Sequence, residues 1–462
     1  MKWHQRLVRY PEIWILSGLG LVTRLWQLGL PPAVVFDEVY FRKFAADYLS
    51  GQYFFDIHPP LVKLFFAGIG SLAHLTPEQL GGSDVSGLIV RYLPAIVGAL
   101  LVPLVYVILR QLHLGRRVAT IGAVLILCDN ALLVESRFVL MDSILLFAGI
   151  GSLSAYLVLR QKRNNWSWAW VSIMALLLGI LVSIKWTGLA VSGVVLFAWL
   201  TECIVNRVNW KRILGETAII LAIIPTVYIG SFMIHFNLLD KSGEGDAFMS
   251  QHFQSTLKGN QYYTESARMS FWDKFVELNG EMYSAQSTLK GIEHPYASKW
   301  YTWPFEIRTV YYWQGNMQQN GMQGNIYLLG NPLVWFTGAA SVVAALMLLV
   351  IKPRWLGKRY NLVAFLLVAY IANFVPFAFI DRPMFLYHYL FSLIFSIFIA
   401  CVLLSLFFDW QVKKYGKTVF NQTFWAIIAA VVLSFLYFLP LSYGWPLSQA
   451  DLQQRMWLPT WR

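Results

Sequence analysis

Two adjacent carboxylates, Asp37 and Glu38, are the residues best placed to do chemistry, because they follow the first long apolar run of the chain. Partial burial and a neighbouring like charge both raise the pKa of a carboxylate, which suits it to general-base catalysis. Basic side chains stand beside other apolar runs, and such cations make strong charge-assisted hydrogen bonds to phosphate. Together these residue types predict a carboxylate base next to a phosphate-binding site.

Charged residues recur at the ends of apolar runs in several separate parts of the chain. An ionisable group is costly in lipid and is therefore a candidate for function. The alternative for any single charged residue is that it snorkels to the interface or forms a structural ion pair. For Arg91 that alternative is a pair with Asp129 or Glu135. Because the whole set is predicted to reach one membrane face, a shared site is favoured. The candidates for binding a donor phosphate or substrate are Arg91, His58, Lys63, Arg137, Asp142, Lys185 and His388, and Arg382 lies in the same connection as His388.

The acidic pair opens a short amphipathic segment. Apolar side chains recur between Phe41 and Leu49 at the spacing of one helix face, and Gly51 is placed to end the helix. A helix of this kind lies in the membrane interface and would hold the preceding acids at headgroup depth. Two prolines after His58 fix the backbone there, so we expect His58 and Lys63 to be held in place.

The elements that position these residues are membrane spans. The chain has 462 residues, of which 57% are hydrophobic and 13% charged, whereas soluble domains average about 25% charged residues. A span needs roughly 20 apolar residues. The sequence predicts an all-α polytopic membrane protein with about eleven transmembrane helices, forming one transmembrane domain over 1–462. The predicted spans are 12–30, 88–110, 118–134, 138–159, 166–184, 188–205, 213–235, 332–351, 360–380, 385–408 and 421–440.

Basic residues give the orientation. The N-terminus and alternate short connections each carry at least three Lys or Arg, as cytoplasmic segments do. This places the N-terminus in the cytoplasm and the C-terminus outside. It also accounts for much of the net charge of +12, so nucleic-acid binding is not predicted. The basic residues are Lys2, Arg6, Arg9, Arg110, Arg116, Arg117, Arg160, Lys162, Arg163, Arg207, Lys211, Arg212, Lys352, Arg354, Lys358, Arg359, Lys413, Lys414 and Lys417.

Two connections predicted to be external are long, at 31–87 and 236–331. The first holds the interfacial helix and the Asp-Glu pair. The second is rich in Tyr and Trp, which favour the membrane–water interface, so we expect it to lie back on the membrane. The sequence has no Asp-x-Asp pair, P-loop or Rossmann glycine pattern, and a metal-bound nucleotide-sugar donor is not suggested. No cofactor and no disulfide among Cys128, Cys203 and Cys401 are predicted.

Seven sequence pieces, in order along most of the chain, resemble the protein O-mannosyltransferase family, which uses polyprenyl- or dolichyl-phosphate mannose. The resemblance implies a GT-C-type membrane fold and inverting transfer of mannose to Ser or Thr hydroxyls of exported proteins. The pieces are Phe36 to Phe41, His58 to Lys63, Arg91 to Pro94 with Gly98, Asp129 to Ser143, Lys185 to Gly188, His294 to Pro304 and Tyr387 to Tyr389.

The resemblance also implies roles for particular residues. Asp37 corresponds to the proposed base, with Glu38 as the alternative, and Arg91 is placed near the donor phosphate. The segment with His294, Trp300 and Trp303 favours a protein acceptor. The implied partners are membrane lipid, a lipid-linked sugar donor and an acceptor polypeptide, while the metal requirement and the oligomeric state are left open.

The chain departs from the eukaryotic members of the family in one respect. Its second long connection, of about 95 residues, is too short to hold the β-trefoil module that they carry there. This implies a bacterial-type member that acts at the external face of the plasma membrane.

Two other functions are alternatives to this one. A different GT-C-type transferase, which moves another polyprenyl-phosphate-linked sugar onto a glycolipid, would share the acids and the fold. A transporter is disfavoured, because transporters tend to show internal repeats and polar residues near the bilayer midplane. Here the charged candidates gather at one predicted face.

Overall fold

Long helices dominate the computed structural model, which describes residues 10–161, 167–288, 293–357 and 359–461. Apolar runs form the helices, and local signals fix their ends: Asn209 and Asn331 cap N-termini with their side chains, and Gly51 ends a helix at φ 80°. In chain order the helices are α1 (Pro11–Leu25), α2 (Glu38–Ser50), α3 (Leu61–Leu72), α4 (Pro77–Gly81), α5 (Tyr92–Gln111), α6 (Arg116–Leu127), α7 (Asn130–Arg137), α8 (Asp142–Gln161), α9 (Ser167–Ile184), α10 (Gly188–Val205), α11 (Trp210–Leu238), α12 (Gln251–Gln254), α13 (Phe271–Thr288), α14 (Pro332–Ile351), α15 (Arg359–Phe374), α16 (Leu390–Tyr443) and α17 (Gln449–Arg455).

Short 3₁₀ helices and one hairpin complete the secondary structure. Strands β1 (Val310–Gln314) and β2 (Asn325–Leu328) pair antiparallel within the second long connection. The all-α prediction did not include this hairpin. The 3₁₀ helices are Val85–Arg91, Asp246–Phe248, Trp300–Phe305, Arg354–Leu356, Val375–Phe379, Leu386–Tyr389 and Pro459–Trp461.

The membrane-spanning helices agree with the predicted spans. Within the described ranges, eight helical segments are long and apolar enough to cross a membrane, and α6 with α7 adds a ninth if this pair, bent by 56°, is one span. The bend falls at Asp129, whose carboxylate accepts a hydrogen bond from Leu132 N and so caps α7. Helix α1 is shorter, with 15 residues, and α16 contains two predicted spans. Each of the eleven predicted spans therefore corresponds to a helical segment.

Helix α16 folds back on itself. It has 54 residues, which would extend for about 80 Å at 1.5 Å per residue, far more than the roughly 30 Å of a hydrocarbon core. Gly416 interrupts it with φ 81° and ψ 179°. Across this break Gln411 donates a hydrogen bond to Thr423 (2.7 Å), and the rings of Phe408 and Phe420 lie 4.7 Å apart. The two halves are therefore antiparallel neighbours, as the predicted spans 385–408 and 421–440 require.

The two long connections meet at one end of the bundle. Backbone bridges join Gln52 to Lys241 and Lys241 to Lys258. Gly243 lies against Tyr53 so closely that a Cβ would stand 2.2 Å from the Tyr53 carbonyl oxygen. This approach requires glycine, and it fixes the second connection onto the first.

Basic connections lie together elsewhere in the bundle. Arg116 pairs with Glu12 (2.7 Å), Arg117 donates to Asn421, and Arg359 pairs with Asp409 (2.9 Å). This grouping agrees with connections that share one membrane side, whereas their assignment to the cytoplasm stays a prediction. Six of the predicted basic residues lie outside the described residues: Lys2, Arg6, Arg9, Lys162, Arg163 and Lys358.

Candidate active site

A cavity of about 580 Å³ lies where the first long connection meets the ends of α8, α10, α13, α15 and α16. Most of its wall is apolar, and a few charged and polar side chains gather in it. Pockets for small ligands have this size and this composition. Of the residues predicted to bind substrate, the cavity is lined by His58, Asp142, Lys185 and His388, and Arg382 joins them.

Asp37 lies beside the charged part of this wall. Burial raises the pKa of its carboxyl to about 6, Lys185 acts in the opposite direction, and Asp142 and Asp56 raise the pKa further. It is the N-cap residue of α2, yet its side chain makes no capping hydrogen bond. The Asp37 carboxylate is partly exposed, makes no capping hydrogen bond and has a pKa of about 6. These properties suit general-base catalysis.

Lys185 stands at the C-terminal end of α9. Its Nζ lies 3.3 Å from Asp142 Oδ1 and 5.2 Å above the ring of Tyr387. A carboxylate and an aromatic face thus hold the ammonium group in the cavity wall. Because only Lys185 and Arg382 among the described lining residues carry a permanent positive charge, they are the groups best suited to an anionic ligand.

His388 is fixed by stacking and by its own backbone. Its ring stacks on Trp303 (5.9 Å, 14°) and on Tyr387 (4.7 Å, 24°). Its Nδ1 lies 3.2 Å from Phe385 N and 3.0 Å from Phe385 O. The imidazole is therefore held in one orientation at the edge of the cavity.

His58 is held from the other side of the cavity. Lys63 donates hydrogen bonds to Asp56 and to the carbonyl oxygen of His58 (2.7 Å), so it anchors the loop that carries this histidine. Burial, and then the charges of Lys185 and Lys63, lower the pKa of His58 well below its usual value. His58 is consequently uncharged at neutral pH, and Lys63 is a support for it that does not line the large cavity.

Arg91 and Glu38 form a buried ion pair that leaves neither free. The guanidinium uses all five of its N–H groups, on both carboxylate oxygens of Glu38 (2.7 and 2.6 Å) and on three carbonyl oxygens. Glu38 also accepts from Val35 N and Val139 N. These contacts give both residues a structural role, and the roles predicted for Glu38 as a catalytic base and for Arg91 as a ligand of the donor phosphate stay predictions. The partner of Arg91 is Glu38, and neither Asp129 nor Glu135.

Arg137 is likewise structural. It donates to the carbonyl oxygens of Arg24 (3.2 Å), Trp26 (2.7 Å) and Gln27 (2.9 Å), at the C-terminal end of α1, and it stacks on Tyr443 (4.1 Å). A cation at this end of a helix satisfies its last carbonyl groups. The guanidinium of Arg137 thus faces α1, and substrate binding by Arg137 stays a prediction.

The second long connection contributes the predicted acceptor-loop residues. Trp303 is buried behind His388 and donates to Ser298 Oγ (2.9 Å). His294 packs edge-on against Phe385 (4.9 Å), and Trp300 packs against Phe374 (4.9 Å). These residues surround the His388 turn, whereas none of them lines the cavity itself. Within the described residues, no group of three or more His, Cys, Asp or Glu is placed to hold a metal ion.

Solved structures define the class of fold. The chain superposes on the Saccharomyces cerevisiae protein O-mannosyltransferase Pmt1-Pmt2 complex bound to the sugar donor, with a TM-score of 0.85 at 20% identity, over 98% of this chain and 92% of that one. ArnT from Cupriavidus metallidurans bound to undecaprenyl phosphate gives a TM-score of 0.53 at 15% identity, over 92% and 70%. The predicted GT-C-type fold is confirmed.

Two family models identify the family. Residues 14–240 match "Dolichyl-phosphate-mannose-protein mannosyltransferase", and residues 271–461 match "C-terminal four TMM region of protein-O-mannosyltransferase". The chain belongs to the protein O-mannosyltransferase family.

Curated relatives agree with this assignment over part of their length. Protein O-mannosyltransferase 1 of Drosophila pseudoobscura pseudoobscura is 36% identical over 53% of this chain and 29% of its own length. Dolichyl-phosphate-mannose--protein mannosyltransferase 4 of Schizosaccharomyces pombe is 32% identical over 56% and 36%. The matched region thus spans about a third of these relatives, at 29% and 36%.

Proposed function

We propose that this chain transfers mannose from a polyprenyl-phosphate-mannose donor to Ser or Thr hydroxyls of exported proteins. The observation that carries the proposal is the position of Asp37, whose carboxyl pKa is raised to about 6, beside a largely apolar cavity with Lys185 and Arg382 in its wall. A lipid-linked phosphosugar needs an apolar surface for its tail and cations for its phosphate. The cavity offers both next to a base.

The donor phosphate is assigned to Lys185 and Arg382. Cations make strong hydrogen bonds to phosphate, and they are stronger where water is excluded. Lys185 is already paired with Asp142 (3.3 Å), which keeps it oriented in the absence of the donor. The prenyl tail is assigned to the apolar wall that includes Leu189, Ala372 and Phe391.

The reaction is an in-line displacement at the anomeric carbon. Asp37 accepts the proton of the acceptor hydroxyl while the hydroxyl oxygen forms its bond to C1 of mannose. The bond between C1 and the phosphate oxygen breaks on the opposite face, and the polyprenyl phosphate leaves with the electron pair. Lys185 and Arg382 stabilise the negative charge that develops on this leaving group.

A donor panel tests the proposal. Purified protein is incubated with a Ser/Thr peptide and polyprenyl phosphates that carry different single sugars, and glycopeptide is measured by mass spectrometry. We expect transfer of mannose and inversion at its anomeric carbon. Transfer of another sugar to a glycolipid, with no product on the peptide, would favour the glycolipid transferase instead. Both family models support a protein acceptor over a glycolipid acceptor. The higher TM-score of the Pmt1-Pmt2 complex, 0.85 against 0.53 for ArnT, agrees with them.

Charge removal at Lys185 gives a pH-dependent prediction. The ammonium group lowers the pKa of Asp37, so Lys185→Met should raise this pKa above its value of about 6 and move the acid limb of activity to higher pH. Because the base acts in its ionised form, the loss should be greater at pH 6 than at pH 8. The donor KM should rise about tenfold or more, as a charge-assisted hydrogen bond is lost. Initial rates over pH 5–9 measure both effects.

The matched control is Lys258→Met. Lys258 pairs with Asp240 (2.6 Å) at the surface of the second long connection, and its removal should leave the pH profile unchanged. An acid limb that stays in place in Lys185→Met would contradict the electrostatic link to Asp37.

The membrane face of the site is also a prediction. The basic connections favour a cytoplasmic N-terminus, and both long connections then face outward, where exported acceptors arrive. A reporter fused after Lys258 should read external and one fused after Lys417 cytoplasmic. A cytoplasmic reading at Lys258 would place Asp37 on the wrong side for this acceptor, because the backbone bridges join the two connections.

A further inference from the structure

The backbone just before Asp37 is strained. Phe36 has a φ of 50°, in the left-handed region that bulky side chains rarely adopt. Such a conformation is unfavourable and persists only where surrounding contacts hold it. Since Phe36 directly precedes Asp37, this conformation sets the direction in which the Asp37 side chain leaves the chain.

Tyr312 supplies the contact that holds Phe36. The two rings stack face to face, with centroids 4.1 Å apart and planes 9° from parallel. Tyr387 meets the same ring at its edge, at 6.4 Å and 64°. An aromatic pair is stabilising beyond its burial alone, so these contacts oppose the strain at Phe36.

Tyr312 lies at a β-bulge and faces the interior of the bundle. In the hairpin, Tyr311 pairs with Tyr327 and Trp313 with Ile326, which leaves Tyr312 as the extra residue of β1. Along β1 the side chains alternate between buried and partly exposed, and Tyr312 shares the inward face with Val310. Tyr312 is 5% exposed, and bulges often occur next to active sites.

The hydroxyl of Tyr312 is anchored on α7. It donates a hydrogen bond of 2.5 Å to Glu135 Oε1, and Glu135 is itself 1% exposed. Within the described residues the second carboxylate oxygen, Oε2, has no hydrogen-bond partner. Tyr312 therefore connects a membrane helix with the segment that carries Asp37.

We propose that Tyr312 is a positioning residue for Asp37, which holds Phe36 in its left-handed conformation by stacking and is itself oriented by Glu135. The inference rests on the proposed function, in which Asp37 is the base. It extends that function by making the β1–β2 hairpin of the second long connection part of the active site. A displacement of about 1 Å in such a group can lower a rate by on the order of 100-fold.

Two variants separate stacking from the hydrogen bond. Tyr312→Leu removes the ring, and we expect kcat to fall by about 10- to 100-fold, with the donor Kd within twofold of wild type. Tyr312→Phe keeps the ring and removes the hydroxyl, and its kcat should lie between those of wild type and Tyr312→Leu. Tyr311→Phe is the matched control, because Tyr311 lies on the same strand and donates its hydroxyl to Asn325 away from Phe36. Its kcat should equal that of wild type.

The measurements are kcat and KM for peptide mannosylation and donor Kd by fluorescence titration, each normalised to folded protein. A kcat within twofold of wild type in Tyr312→Leu overturns the inference. A fall in which donor affinity is lost in parallel also overturns it, since that pattern marks general disruption. If wild-type protein transfers no mannose from any donor, the proposed function fails and the inference fails with it. An active wild type with insensitive Tyr312 variants removes the inference alone.

Discussion

Replacing Asp37 with asparagine is expected to lower the turnover number for mannose transfer by at least about 100-fold, because removal of a general base typically costs 10²–10⁴ in rate. A Ser or Thr hydroxyl is a poor nucleophile until its proton is taken. Asparagine keeps the size of the side chain and removes its basicity. Donor affinity should stay near that of wild type, since Lys185 and Arg382 remain in the cavity wall. Single-turnover mannosylation and donor titration measure the two effects separately.

Stability distinguishes this role from a structural one. Burial raises the pKa of Asp37 from 3.8 to about 6, so the folded state favours the protonated carboxyl, and stability falls as pH rises through this interval. At pH 7 the uncharged Asp37→Asn variant should therefore be at least as stable as wild type. Asp47→Asn, on the same helix α2, is the matched control and should keep its turnover. A destabilised Asp37→Asn protein with normal turnover per folded molecule would contradict catalysis by Asp37.

Removing Arg91 is expected to destabilise the protein by about 3–5 kcal/mol, because a buried carboxylate loses its partner. Arg91→Met leaves Glu38 fully buried with two backbone N–H groups as its remaining donors. It also leaves three carbonyl oxygens without the guanidinium. Thermal unfolding in detergent, followed by tryptophan fluorescence, measures the loss. Glu38→Gln combined with Arg91→Met should recover part of it, since the unpaired charge is then absent.

The control for this experiment is Arg116→Met. Arg116 pairs with Glu12 (2.7 Å) and its side chain is 50% exposed, so its removal should change stability by about 0–1 kcal/mol. If Arg91→Met protein is as stable as wild type but loses donor affinity, the guanidinium contacts the donor phosphate and the buried pair described above is not its main role.

Much of the fold follows from the sequence because lipid imposes a strong rule. Backbone groups in a bilayer must be satisfied within the segment, so a long apolar run is a helix almost without alternatives. The break at Gly416 lies between two predicted spans, whereas the bend at Asp129 divides the predicted span 118–134 into two helices. The hairpin in the second long connection was not predicted, since its short strands carry no long apolar run.

The structure divides the predicted site residues into those at the cavity and those engaged in structural pairs, for one physical reason. Asp37, Asp142, Lys185 and His388 lie at or beside the cavity. Arg91 does not lie at the cavity. Its role could not be read from the sequence, because a cation near the start of a span looks the same whether it binds a ligand or a carboxylate. Its partner, Glu38, lies 53 positions away, and such pairing is set by tertiary packing. Arg382, like His388, is an ionisable residue beside an apolar run. It lines the cavity and is added here to the residues predicted to bind substrate.

The wide separation of the site residues along the chain has a consequence for biosynthesis. Asp37 and Tyr387 are 350 positions apart, and both lie beside Lys185 at the cavity. Ribosomes add about 5–20 residues per second, so the first half of the site waits roughly 20–70 s for the second. During that interval the emerging chain has its carboxylate but neither Arg382 nor His388. The proposed site is therefore incomplete until the segment that carries Arg382 and His388 has been synthesised.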